Sequence, residues 1–166
     1  YISENTNATP ITNENSNKVS LSVNDHVQWS KGAKQTLKFY CETSNGRKYK
    51  SADIEVVVRA QAPTVGNITA DKTYLKPGDT VSLSINSSSK AERVYTWAYS
   101  LTSGSSNTLI GNSNVIFAVP NVSSGTYRFT CRIKNVGSDE NPVERTLDMP
   151  VLEAPKFSNI TQSQTV

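Results

Sequence analysis

Histidine occurs once, as His26, methionine once, as Met149, and cysteine twice, as Cys41 and Cys131. A histidine-based catalytic triad therefore has a single candidate, and Asn24-Asp25-His26 reads more simply as a polar loop. The chain has no Gly-x-Ser-x-Gly elbow, no Cys-x-x-Cys pair, no His-x-x-x-His pair and no phosphate-cradling glycine loop. These gaps point away from an enzyme, and no cofactor or metal is expected. No window approaches the roughly 18 apolar residues of a membrane-spanning helix, and no charged start runs into an apolar stretch as in a signal peptide. Because it opens at Tyr1 rather than methionine, the chain reads as a mature form or a piece of something longer.

What the chain does have is polar and dispersed. Its 17 Lys and Arg against 14 Asp and Glu leave a net charge of +3 spread over 166 residues. Without a basic run, nucleic acid is not an expected partner. Leucine is scarce while Ser, Thr and Asn abound, a balance suited to short strands and long polar loops.

Two stretches organise the rest. Gln61 to Thr73 (QAPTVGNITADKT) is echoed by Glu153 to Thr165 (EAPKFSNITQSQT). Upstream of each lies a second match, QTLKFYCETSNG and GTYRFTCRIKNVG, which places Cys41 and Cys131 90 positions apart. A period of that size suits one β-sandwich domain. The expectation is residues 1–62 as the C-terminal part of one module with its opening strands missing, 63–154 as a complete module, and 155–166 as the first strand of a third. Ala62-Pro63 and Ala154-Pro155 are the natural joints.

Within 63–154 the period of two predicts strands. Val65 to Ala70 comes first. Lys76-Pro77-Gly78-Asp79 makes a turn, with glycine supplying positive φ at its third position. Val81, Leu83 and Ile85 then alternate with Thr80, Ser82 and Ser84. Tyr95, Trp97 and Tyr99 share a face, as do Val115, Phe117 and Val119. Tyr127, Phe129, Cys131 and Ile133 point one way, and Leu147, Met149 and Val151 line the last strand. Further upstream, Tyr1 to Lys18 is the stretch poorest in core residues. Val19, Leu21 and Val23 restore alternation, and Val27 and Trp29 begin a further strand. The predicted fold class is all-β, a tandem of sandwich modules.

A disulfide-bearing module would need a cysteine inside the Val81–Ile85 strand, and none is there. Cys131 instead reads as an apolar core filler two positions beyond Phe129, and Cys41 as its counterpart beyond Phe39. Both are expected to be free, because equivalent sites in consecutive modules lie far beyond the roughly 7 Å reach of a disulfide, and both are expected to be buried. The predicted structural core is Trp97, Tyr127, Phe129, Cys131, Phe39 and Cys41.

Val94-Tyr-Thr-Trp97, followed by Gly125-Thr-Tyr127-x-Phe-x-Cys-x-Ile-x-Asn135, resembles the PKD-type and related immunoglobulin-like repeats; the second run is also similar to the matching strand of fibronectin type III. The resemblance implies an immunoglobulin-like β-sandwich over residues 63–154. It also implies a non-enzymatic role in adhesion, recognition or structural spacing, at a cell surface or outside the cell, with protein or glycan partners. Buried free thiols suit a reducing compartment and open an alternative: a virion or filament decoration protein with neighbouring copies as partners.

Five Asn-x-Ser/Thr triplets, at Asn7, Asn67, Asn86, Asn121 and Asn159, are candidate N-glycosylation sites. Asn67 and Asn159 stand out because the repeat places both at one point of the module. Asp139-Glu140-Asn141-Pro142 offers clustered oxygens of the kind calcium takes, but is read as a solvated turn.

Overall fold

The computed structural model describes residues 2–4, 7–9, 26–44, 48–102, 104–121 and 124–152. Thirteen strands and one 3-10 turn make up the regular structure of these residues. Packing divides the chain into two compact units. The first holds residues 1–64, 88–94 and 133–143; the second holds 65–87, 95–132 and 144–166.

In the first unit, β1 (Ile2–Glu4), β2 (Asn7–Thr9), β3 (Lys34–Phe39) and β6 (Ile54–Arg59) form a sheet of order β2-β1-β3-β6. Between β3 and β6 a short hairpin forms from β4 (Glu42–Ser44) and β5 (Lys48–Lys50). One of these observations adds to the sequence reading and another corrects it. The core-poor opening residues form the β1–β2 hairpin, with Ile2 paired opposite Phe39; pairing recruits backbone groups and tolerates polar side chains. Val27 is buried and Trp29 half-buried, as strand residues would be, but Trp29–Lys31 is a 3-10 turn closed by the Lys31 N–H on the Gln28 carbonyl at 2.8 Å. Trp29 packs on the Val27–Leu37 cluster together with Phe39 and Val58.

The second correction of substance concerns Cys41. Cys131 is fully buried, but Cys41 is exposed. The reason lies in the hairpin. β3 stops at Phe39 and β4 resumes at Glu42, and in the gap the Cys41 N–H donates to Ser51 Oγ at 2.9 Å rather than to a main-chain carbonyl. The Ser51 hydroxyl donates onward to the Ala52 carbonyl, also at 2.9 Å. A side chain set into the ladder interrupts the strand and releases Cys41 from the alternation that buries Leu37.

Seven strands follow: β7 (Thr64–Ala70), β8 (Thr80–Ser88), β9 (Arg93–Leu101), β10 (Asn107–Leu109), β11 (Asn114–Ala118), β12 (Gly125–Asn135) and β13 (Val143–Val151). They form two sheets, of order β10-β9-β12-β13 and β11-β8-β7. Within the second unit Phe117 of β11 meets Tyr99 of β9 at 4.7 Å between ring centroids, and Tyr127 and Phe129 of β12 at 5.1 Å each. The two sheets therefore pack face to face over an aromatic core. Val81, Leu83 and Ile85 point into it, as do Trp97, Cys131 and Met149. Alternation is strictest in β12, where Tyr127, Phe129, Cys131, Ile133 and Asn135 are buried. The turn before β8 closes with the Asp79 N–H on the Lys76 carbonyl at 3.1 Å, and Gly78 takes φ 79° there.

β10 has no counterpart in the sequence reading. Its three residues, Asn-Thr-Leu, are too few to show a period, and pairing with β9, Leu109 opposite Trp97, defines it.

Candidate functional site

The first unit carries the strongest electrostatic feature. Asp139, in the connection between β12 and β13, receives the Lys34 ammonium at 2.8 Å and the Arg59 guanidinium through Nε at 3.2 Å and Nη2 at 3.1 Å. Hydrogen bonds from Arg59 and Lys34 hold its carboxyl well below the usual carboxylate range. Asp139 is exposed in this turn, as the sequence suggested, and is ion-paired as well: both its oxygens accept from basic side chains, an arrangement that competes with any cation for them. Its partners lie 80 and 105 positions away in sequence, which is why no local motif announces the cluster.

The same unit is tied together by main-chain bonds. Ala33 N–H donates to the Val136 carbonyl at 2.9 Å, Ala60 N–H to the Ala33 carbonyl at 2.7 Å, and Val136 N–H to the Glu92 carbonyl at 2.8 Å. The buried Asn135 donates through Nδ2 to the Gln61 carbonyl at 2.9 Å. Small side chains permit this closeness: Ala33, Ala60 and Ala91 form one buried cluster. Beside it lies a cleft of about 490 Å³ lined by Trp29, Arg59, Gln61, Ser88 and Lys90, among others. An indole with a cation and amide and hydroxyl groups can stack on a flat or sugar-like ligand and hydrogen-bond its rim.

In the second unit the outward side chains of β12 and β13 pair across strands, Arg128 with Asp148 at 2.8 Å and Arg132 with Glu144 at 2.7 Å. The outward face of β8 carries exposed Thr80, Ser82 and Asn86. Asn67 on β7 and Asn86 on β8 are both exposed, and a Cβ placed at Gly66 would lie 3.5 Å from the Asn86 carbonyl oxygen, so the two acceptor sites are neighbours. Asn121 is exposed in the loop after β11. Asn7 lies on β2, and Asn159 lies outside the described residues, as do Val19, Leu21, Val23 and residues 155–166.

Each of the remaining sequence-predicted residues has a definite place. Trp97 is fully buried and donates through Nε1 to the Asn112 carbonyl at 2.7 Å, which makes it a core residue rather than a carbohydrate platform. Tyr127 and Phe129 are buried in the aromatic stack. Burial pushes the Cys131 thiol up to about 12. Phe39 is half-buried and Cys41 exposed. His26 is half-buried. Among the described residues no three His, Cys, Asp or Glu side chains converge to hold a metal ion, and no helix is long and apolar enough to cross a membrane.

The fold and these surfaces define a class: an all-β protein of packed sheets with ion-paired and hydroxyl-rich strand faces. No protein-family model and no curated protein matches the chain. Among solved structures, the full ectodomain (Ig1–Ig3) of mouse nectin-like molecule 4 is similar over 75% of this chain, with 13% identity and a TM-score of 0.38. The chain spans 42% of that ectodomain.

Proposed function

We propose that this chain is a non-enzymatic segment of an array of immunoglobulin-like modules, displayed at a surface or outside the cell, that serves adhesion, recognition or structural spacing. In this reading residues 63–154 form one complete sandwich, residues 1–62 the C-terminal part of the module before it, and 155–166 the opening strand of the next. The carrying observation is the two-sheet core around Trp97, Phe117 and Phe129, which commits these aromatic side chains to the interior and leaves strand faces, edges and loops as the presented chemistry. Partners are then proteins or glycans that read such surfaces, and Asn67, Asn86 and Asn121 are exposed positions where the array would itself carry glycans. The PKD-like relationship rests on the Trp97 and Tyr127–Asn135 motifs alone.

A second reading, a decoration or assembly protein of a virion or filament, is favoured by one observation. Cys41 is a free thiol on the surface, a state that persists most readily in a reducing compartment. Intact mass of the protein from its native source separates the two. Hexose-bearing mass at Asn67 or Asn86 supports the surface array. An unmodified mass, with the chain sedimenting alongside a particle, supports the assembly protein. A catalytic activity that follows the chain through purification to homogeneity sinks both.

A further inference from the structure

From Val94 to Tyr127 the sequence runs 34 residues without one Asp, Glu, Lys or Arg, in a chain where 19% of residues are charged. The stretch spans nearly all of β9, all of β10 and β11, and the start of β12. It therefore gathers both strands that end their sheets on one side of the second unit, β10 and β11. The strands at the opposite ends are treated differently. β13 carries Glu144, Arg145, Asp148 and Pro150, its Val151 bridges to Leu75, and Arg145 donates to the Val65 carbonyl of β7 at 3.0 Å. Charge, proline and covering contacts are the usual protections of a sheet edge. Among the described residues β11 has none of them.

The ladder shows what β11 presents. Ile85 N–H donates to the Ser113 carbonyl at 2.9 Å, and Val119 N–H to the Asp79 carbonyl at 2.8 Å. Antiparallel pairs alternate between bonded and non-bonded, so Val115 and Phe117 spend their main-chain groups on β8. Asn114, Ile116 and Ala118 aim theirs at the open edge. The side chains of these three are also exposed, Ile116 at 72%.

We propose that β11 is a homotypic docking edge, pairing antiparallel with β11 of a second copy of this chain about a two-fold axis at Ile116. Ile116 then faces Ile116 of the other copy, and Asn114 faces Ala118 in both directions. This register satisfies every outward main-chain group of the strand through about six hydrogen bonds. A second copy is the occupant because the two-fold maps the strand onto itself, Ile116 on Ile116 and Asn114 on Ala118, and no charged residue between Val94 and Tyr127 opposes that approach. The five-residue edge is preferred over β10, whose three residues give a ladder too short to hold. Such an edge buries less than about 1,000 Å² and gives a weak pair on its own. Repeated along an array it gains by multivalency, but the pairing itself does not depend on the array reading.

Sedimentation equilibrium of the full chain, from about ten micromolar to about one millimolar, reads the dimer directly. The expected result is a reversible monomer–dimer equilibrium. Ile116→Lys weakens it by about tenfold or more through like charges directly opposite, and leaves the monomer's circular dichroism and melting unchanged because position 116 faces solvent. Ile116→Glu behaves likewise alone, while an equimolar mixture of the two variants dimerises again. Ile110→Lys, at a 99% exposed apolar residue outside β11, leaves the dimer intact. A chain that stays monomeric at about one millimolar overturns the proposal. So does an Ile116→Lys variant that dimerises like the parent, a mixture that fails to recover, or an Ile110→Lys variant that loses the dimer as well.

Discussion

Cys41 and Cys131 follow similar sequence runs, each two positions beyond a phenylalanine, but lie in opposite environments, so the same substitution at each is a controlled perturbation. In Cys131→Ser the new hydroxyl sits among Phe129, Ile133 and their apolar neighbours in a fully buried position. An unpartnered buried hydroxyl costs about 1–3 kcal/mol, and for a chain of this size about 2 kcal/mol lowers the melting temperature by roughly 4–8 °C. Cys41→Ser, on the surface, stays within about 0.5 kcal/mol. Alkylation gives a second readout. With the buried thiol raised from 9.0 to about 12, its thiolate fraction near neutral pH falls roughly a thousandfold. Cys41 is then modified in the folded protein and Cys131 only as fast as the fold opens. A raised thiol pKa favours the protonated folded state, so this contribution is complete below pH 9 and is lost as pH rises from about 9 towards about 12. Equal destabilisation by the two serines, or equal alkylation rates in the native protein, would refute the reasoning.

Gly78→Ala forces a Cβ onto a residue at φ 79° and lowers stability by about 1 kcal/mol in urea or thermal unfolding. Asn135→Ala strips the Gln61 carbonyl of its buried donor and costs about 1–3 kcal/mol, with faster amide exchange at Ala33, Ala60 and Val136. The Asp139 carboxyl, depressed by Arg59 and Lys34, contributes stability that is present above the ordinary aspartate value and is lost as pH falls below it; NMR titration of this carboxyl places its midpoint below the ordinary aspartate value. Asp139→Asn weakens the same contacts, and high salt reduces the difference between variant and parent.

The sequence carried the strands that alternate over a covered face. In β8 and β12 each inward residue is apolar and each neighbour polar up to Lys134, and the structure buries the inward set. Where the partner rather than the pattern decides, the sequence was silent or misleading. Ile54–Arg59 reads IEVVVR, yet Ile54, Val56 and Val57 are exposed, because an apolar strand is buried only where a second layer covers it. The Cys41 position matches Cys131 in its sequence neighbours, but β3 ends before it and its N–H turns to the Ser51 hydroxyl. The Asp139 cluster joins residues from β3, β6 and the β12–β13 connection, which no window of sequence contains. The β1–β2 hairpin escaped notice for the opposite reason: backbone pairing defines it, and its residues carry no apolar pattern.

The central proposal is that residues 63–154 form a self-sufficient sandwich inside a chain of such modules. The most direct measurement is the unfolding of a 63–154 fragment, followed by Trp97 fluorescence and near-ultraviolet circular dichroism. The proposal predicts one cooperative transition with a buried tryptophan in the native state, while a 1–62 fragment, which it takes as part of an incomplete module, shows none. A 63–154 fragment without cooperative unfolding, or one with Trp97 emitting as in water, would contradict it.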